Sequence, residues 1–329
     1  MRKWLRRTLV GIAGLAGFVF VSNTNLLIAA RDGKPTLLAH RGIAQRYDDA
    51  GLEGDTCTAA RIFPPKHQYL KNTIASMTAA FAAGADIVEF DVHPTTDGQF
   101  AVFHDWTLDC RTNGTGVTRE HSMAELKALD IGHGYTADGG KTFPFRGKGI
   151  GLMPTLDDVL ATFPDRRLMI NVKSNDPAEG QKLAAVLQKL APERRGTLIV
   201  YGGHRPVTAV KTLLPDVTIL SGQTLKACTL RYWAYGWTGL LPAECRGTAL
   251  LFPVNMAPWL WGWPDRFLNR MEAAGTQVFV LGPYHGGGFS SGVDSPEELG
   301  RLPPNYSGGI WTNEITLIAE RLAAQGRHK

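Results

Sequence analysis

The chain has 329 residues, 44% hydrophobic and 20% charged, proportions of a globular protein with a sizeable core that exclude a disordered or fibrous one. Its formal charge of +5 misleads, because Arg2, Lys3, Arg6 and Arg7 supply four of those charges and no acid precedes Asp32. From Arg31 onward 31 basic residues face 30 acidic ones, so the body offers no basic field for nucleic acid.

The four basic residues lead into Thr8 to Ala30, a stretch without charge in which Ser22-Asn23-Thr24-Asn25 interrupts two apolar runs. This is the pattern of an export signal. Cleavage after Ala30 would leave Ile28 where a small residue belongs, so the pattern favours an uncleaved membrane anchor over residues 1–30, with cleavage to a free periplasmic protein as the alternative. The basic cluster would hold the N-terminus in the cytoplasm and put the body outside the inner membrane. Cys57, Cys110, Cys228 and Cys245 form an even set with no Cys-x-x-Cys spacing, which argues against zinc and for disulfides in an exported chain. Of the three pairings, Cys228 with Cys245 and Cys57 with Cys110 is the expectation, with free buried thiols as the alternative.

A first strand runs from Leu37 to His40. After it, Ile43 to Tyr69 is a long polar loop holding Asp48, Asp49, Glu53, Asp55 and Pro64-Pro65; it either covers a site mouth or is an outer insertion tethered by Cys57. Asn72 is placed to cap a helix with apolar Ile74, Met77 and Phe81, closed by Gly84. Then come two short apolar runs, Ile87 to Val92 and Phe100 to Phe103, around Asp97-Gly98, which predicts a hairpin. Alternation along the first of these puts Glu89, Asp91 and His93 on one face. Two carboxylates so placed suggest a hard divalent cation, unless the strand is half-solvated and its acids simply face water.

Trp106 to Gly151 is rich in Gly and Thr, with a helical pattern only at Met123 to Leu129, and reads as an insertion. A helix over Thr155 to Phe163 is capped by Thr155 and Asp158, and a strand covers Leu168 to Lys173 with Asn171 and Lys173 on one face. Asp176 opens the next helix. From there strands at Thr197 to Tyr201, Val217 to Leu220, Ala249 to Val254, Gln277 to Leu281 and Gly309 to Thr312 alternate with helices, which at this length predicts a closed parallel α/β barrel. The strand count is nine, so one strand must lie outside an eight-stranded barrel. Five of the eight tryptophans fall between Trp233 and Trp263; they either pack a helix and its following loop or face a membrane interface.

In chain order the sequence shows His40-Arg41-Gly42, Asn72-Thr73, Gly84-Ala85-Asp86 leading into Glu89-x-Asp91, Asp97-Gly98, His104-Asp105, Arg111-Thr112 and Met153-Pro154-Thr155-Leu156. This ordered set, across Leu37 to Lys173, resembles the glycerophosphodiester phosphodiesterase family. The resemblance implies a (β/α)8 TIM barrel over residues 35–329; residues 106–151 then read as an insertion on its catalytic face, and a further insertion lies near 43–70. It implies an acid-base pair at His40 and His104, metal ligation of Ca2+ or Mg2+ by Glu89 and Asp91, and phosphate contacts from Arg41 and Lys173. The chain departs from the family pattern twice: Asn171 replaces the usual third carboxylate ligand, and Lys71 replaces the Glu that usually precedes Asn-Thr. The expectation is a membrane-anchored hydrolase that cleaves a glycerophosphodiester to an alcohol and glycerol 3-phosphate, with Asn171 as a weak third metal ligand. The alternatives are a catalytically weak module that binds lipid headgroups and a lyase acting on intact phospholipids.

Overall fold

The computed structural model describes residues 2–53, 56–286 and 291–328; Asp55, one of the acids of the long loop after His40, lies outside them. In chain order the elements are α1 (Arg2–Asn23), β1 (Thr36–His40), α2 (Ile74–Ala82), β2 (Ile87–Pro94), β3 (Phe100–Val102), α3 (Met123–Ala128), α4 (Leu156–Thr162), β4 (Arg167–Val172) and α5 (Pro177–Leu187). They continue as α6 (Pro192–Arg195), β5 (Leu198–Gly202), α7 (His204–Leu213), β6 (Thr218–Ser221), α8 (Gly222–Tyr235), β7 (Ala249–Pro253), α9 (Asp265–Ala273), β8 (Gln277–Leu281), α10 (Pro296–Gly300), β9 (Gly309–Thr312) and α11 (Ile315–Ala324).

Eight parallel strands run in the order β6-β5-β4-β2-β1-β9-β8-β7, and a bridge from Ile219 to Thr248 brings the two ends together, making a TIM barrel. The strand outside it is β3, which pairs antiparallel with the end of β2 through Val92 to Val102 and Pro94 to Phe100. Gly98 takes φ +79° in the Asp-Gly turn between them, a conformation a side chain would strain.

Period-two alternation sorts the core. Leu38, Ile87, Met169, Ile199, Leu220, Ala249, Phe279 and Trp311 fill the barrel interior, while Leu37, Val88, Phe90, Leu168, Ile170 and Val200 point outward to the helices. All eight residues of β2 are buried, so its acids do not lie on a solvated face. A separate core under the insertions joins Ala59, Ile62 and Leu70 to Leu108, Leu126, Ile131 and Tyr135. Cys57 bonds to Cys110 across this cap and Cys228 bonds to Cys245, so both expected pairs form.

One local reading is corrected. The cap of α2 is Thr73, whose hydroxyl accepts from the Ser76 amide in a capping box; Asn72 instead stands just before the helix at φ +59°. That conformation, which asparagine tolerates better than most residues, turns its amide toward the barrel.

The polar break in the N-terminal segment is built into the barrel. Asn23 donates to the Trp237 carbonyl at 2.8 Å, and Asn25 donates to the Trp263 carbonyl at 2.7 Å while accepting from the Arg266 amide at 3.0 Å. Arg270 donates to the Ser22 carbonyl at 2.5 Å and to the Tyr232 hydroxyl at 2.8 Å. The tryptophans divide: Trp261 and Trp263 pack against the core, Phe18 of α1 meets Trp237 edge-on at 6.4 Å, and Trp259 is 78% exposed.

Candidate active site

The chemistry-bearing residues stack above the apolar layers at the C-terminal ends of the strands, where barrel enzymes place their sites. Parallel register makes this possible. His40 of β1 lies beside Glu89 of β2, and Asp91 lies beside Asn171 of β4, which lies beside Tyr201 of β5. Since side chains in register point the same way, sequence-distant residues share one layer of the barrel mouth.

Glu89 and Asp91 sit at the bottom with side chains 0% exposed, while His40 and His104 keep 16% and 27% exposure above them. Asp91 is saturated. Asn171 donates its amide to one carboxylate oxygen at 2.8 Å, Asn72 donates to the other at 2.9 Å, Arg41 Nε approaches to 3.1 Å and Lys173 Nζ to 3.6 Å. Burial works against the charge on Asp91, but Arg41 and Lys173 outweigh it and hold the carboxyl well below its ordinary range. Glu89 accepts from the Tyr201 hydroxyl at 2.6 Å and from the Arg41 amide at 3.2 Å. Burial, and then the neighbouring Asp91, push its pKa up.

Each imidazole is fixed through Nδ1. His40 Nδ1 lies 2.7 Å from Asn313 Oδ1, and Asn313 in turn donates to Asp294 at 2.7 Å. His104 Nδ1 lies 2.6 Å from Asp105 Oδ1, and Arg111 Nε meets the other Asp105 oxygen at 2.7 Å. With an oxygen acceptor facing Nδ1 in both rings, the proton belongs there and Nε2 carries none; the buried Glu89 carboxylate lies 3.7 Å from His40 Nε2. Burial and then Arg41 push both histidines below their ordinary range, and Lys71 adds to this at His104. A pocket beside His104 is lined by Lys71, Asn72, Arg111 and Tyr135, so both insertions wall the site as well as being tethered by Cys57.

All seven residues expected from the sequence converge here, but the ligand set expected for a cation does not form. No group of three or more His, Cys, Asp or Glu able to hold a metal occurs among the described residues. Asn171 offers Asp91 its N–H, and turning the amide over would set its oxygen against a carboxylate oxygen. The residues as placed therefore do not fit a divalent ion, and Asn171 serves as a partner of Asp91.

Sequence reasoning missed Asn72, Tyr201, Asn313 and the Asp105–Arg111 pair as supports of the site. His104-Asp105 and Arg111 stood in the motif series, so their charge pairing was open to inference. Asn313 and Tyr201 follow no local signal, because their relevance rests on barrel closure.

Comparison with known proteins bears on the fold and the family. The sequence profile of the glycerophosphoryl diester phosphodiesterase family matches residues 40–212, more than half the chain. The glycerophosphodiester phosphodiesterase of Bacillus subtilis (strain 168) is 35% identical over 151 residues, 43% of this chain and 50% of that protein. The chain thus spans about half the length of the curated relatives it first matches. Among solved structures, the glycerophosphoryl diester phosphodiesterase domain of a Mycobacterium tuberculosis protein superposes with TM-score 0.61 at 18% identity, covering 90% of this chain and 100% of that one. An Oleispira antarctica phosphodiesterase in complex with the product sn-glycerol-3-phosphate superposes with TM-score 0.54 at 19% identity, covering 86% and 94%. These likenesses carry the fold, and the profile match carries the family: the chain belongs to the glycerophosphoryl diester phosphodiesterase family.

Proposed function

We propose that the chain hydrolyses a glycerophosphodiester to an alcohol and glycerol 3-phosphate, with His40 and His104 as the acid-base pair. The carrying observation is that two imidazoles, each held through Nδ1, stand beside a cluster of cations at one barrel mouth. Family membership and the product named for the Oleispira antarctica enzyme support the same substrate class.

The Nδ1 partners divide the roles. A carboxylate stabilises an imidazolium far better than an amide does, so His104, backed by Asp105, is the acid, and His40, backed by the neutral Asn313, is the base. His40 Nε2 takes a proton from the attacking water as the water oxygen bonds to phosphorus. His104 Nε2 gives its proton to the departing alcohol oxygen as that P–O bond breaks, and exchange with solvent resets both rings. Burial and the neighbouring Arg41 disfavour the charged form of both rings, and the negative charge of the diester works the other way, favouring a proton on His104. Arg41 and Lys173 face the non-bridging oxygens, where guanidinium and ammonium groups neutralise phosphate charge. The resemblance implies a divalent ion at Glu89 and Asp91; since the donor set does not fit one, no step is routed through it.

For location we read α1 as a retained single-pass anchor with the barrel on the periplasmic side. Its length and mean hydropathy of 1.4 suit a span, and the disulfides suit an oxidising compartment. The hydrogen bonds of Ser22 to Asn25 give the junction a structural role that cleavage after Ala30 would remove.

The test is enzyme-coupled detection of glycerol 3-phosphate from a panel of headgroup diesters. Release from at least one supports the hydrolase. Headgroup binding without turnover would instead mark a binding module, and a cyclic phosphate product a lyase.

A further inference from the structure

Around the two histidines, basic side chains outnumber the acids in direct contact with them by one: Glu89, Asp91 and Asp105 are those carboxylates and Arg41, Lys71, Lys173 and Arg111 the bases, while Asp294 is set behind Asn313, whose amide donates to it. Three of the cations have a carboxylate: Arg41 and Lys173 share Asp91, and Arg111 holds Asp105. Lys71 has neither an ion-pair nor a hydrogen-bond partner among the described residues, although it lines the pocket beside His104 and Arg111. Burial and the crowding of Arg111 and Arg41 destabilise its ammonium, as befits a cation that lacks its anion.

A divalent ion would enter against this charge. To reach Asp91 it would have to displace the Asn171 and Asn72 amides and part the carboxylate from a guanidinium and an ammonium. At Glu89 the Tyr201 hydroxyl holds one oxygen and the Arg41 amide the other. Lys71 and Asn171 are also the two positions at which the chain leaves the motif pattern it otherwise follows, and both departures make the mouth more positive. A phosphodiester anion meets the opposite balance: one negative charge enters where one is missing.

We propose that Lys71, with Arg41 and Lys173, carries the phosphate-neutralising charge in this chain, so that it binds phosphate and turns over its diester without a divalent cation. The proposal rests on the phosphodiesterase reading for turnover, but its binding half stands independently. Lys71 sits on the segment from the first insertion that continues into Asn72, so the residue that brings the extra charge adjoins one that fixes Asp91. Asn171 then keeps Asp91 ionised and ordered beneath the phosphate by donating to it, a task a carboxylate at that position could not perform.

The experiment uses the full chain in detergent, stripped with excess chelator and dialysed. Inorganic phosphate, calcium chloride and magnesium chloride are each titrated separately by calorimetry, and diester turnover is measured in chelator and after cation is added back. Expected results are saturable phosphate binding, no saturable heat from either cation, and turnover in chelator within about twofold of that with cation. Lys71→Ala and Lys71→Met should each weaken phosphate binding by about 10- to 100-fold, with an unchanged melting temperature showing the barrel intact. The double variant Lys71→Glu/Asn171→Glu should gain saturable cation binding. Stoichiometric cation binding by the unaltered chain, or turnover lost in chelator and restored by cation, would overturn the proposal; so would unchanged phosphate affinity in both Lys71 variants. If no diester is turned over by stripped or cation-loaded protein, the hydrolase reading fails, while the phosphate and cation titrations still decide the charge assignment.

Discussion

At the scale of single residues, the two buried acids of the site are each held by several donors, and each imidazole by one oxygen at Nδ1. Replacing His40 or His104 with Ala removes a proton carrier and should lower turnover by about two to four orders of magnitude while leaving the circular dichroism melt unchanged. Asp105→Asn makes a finer test. It takes the carboxylate from His104 Nδ1, so the ring holds its proton less well. With His104 as the proposed acid, the alkaline limb of the pH–rate profile should move to lower pH; a limb that stays in place would give the acid role to another group. Tyr201→Phe strips Glu89 of its 2.6 Å donor in a fully buried position and should cost about 1–3 kcal/mol, read as a lower denaturation midpoint in urea.

At the scale of elements, the two insertions act as one cap because a covalent bond and a shared core join them. Cys57 and Cys110 lie 53 residues apart, and closing that loop is worth about 4 kcal/mol in the chain-entropy account. The double variant Cys57→Ser/Cys110→Ser should therefore loosen the wall that carries Lys71 and Arg111. Hydrogen exchange should rise across 58–71 and 106–151, with the barrel strands still protected, and turnover should fall. The elements themselves were mostly legible. Alternation marked β2 and β4, and capping pairs marked α4 and α5, because those signals are local in sequence. Asn72 was misplaced for the same reason: next to Thr73 it resembles a cap, and only its left-handed backbone and the nearby Asp91 show otherwise.

At the scale of the whole molecule, the junction between α1 and the barrel is a rigid collar, with Arg270 and Arg266 holding the Ser22 to Asn25 segment. A retained anchor predicts that the full chain sediments with membranes, that Edman sequencing finds no new N-terminus after Ala30, and that deleting residues 1–21 frees a folded barrel. Deleting residues 1–31 should also lower the melting temperature by several degrees, since it removes the Asn25 contacts and the Arg31–Glu272 ion pair.

By itself the sequence determined the barrel class and the strand and helix order, since these follow from periodicity and spacing; both cysteine pairs were expectations that the structure bears out, and the seven residues that meet at the mouth were pointed to by the resemblance of an ordered motif set. Tertiary structure decided which strand stays out of the barrel: β2 is long enough to pair with β1 and β4 and still carry β3 at its end. It also decided what the site residues do to one another. Asn313 reaches His40, and Tyr201 reaches Glu89, only because closure brings β9 and β5 to the same mouth as β1 and β2. The expected ligand role of Asn171 gave way to a donor role for a like reason. Whether an amide offers its oxygen or its N–H depends on the charge it faces, and here that is a buried carboxylate whose other partners are already cations.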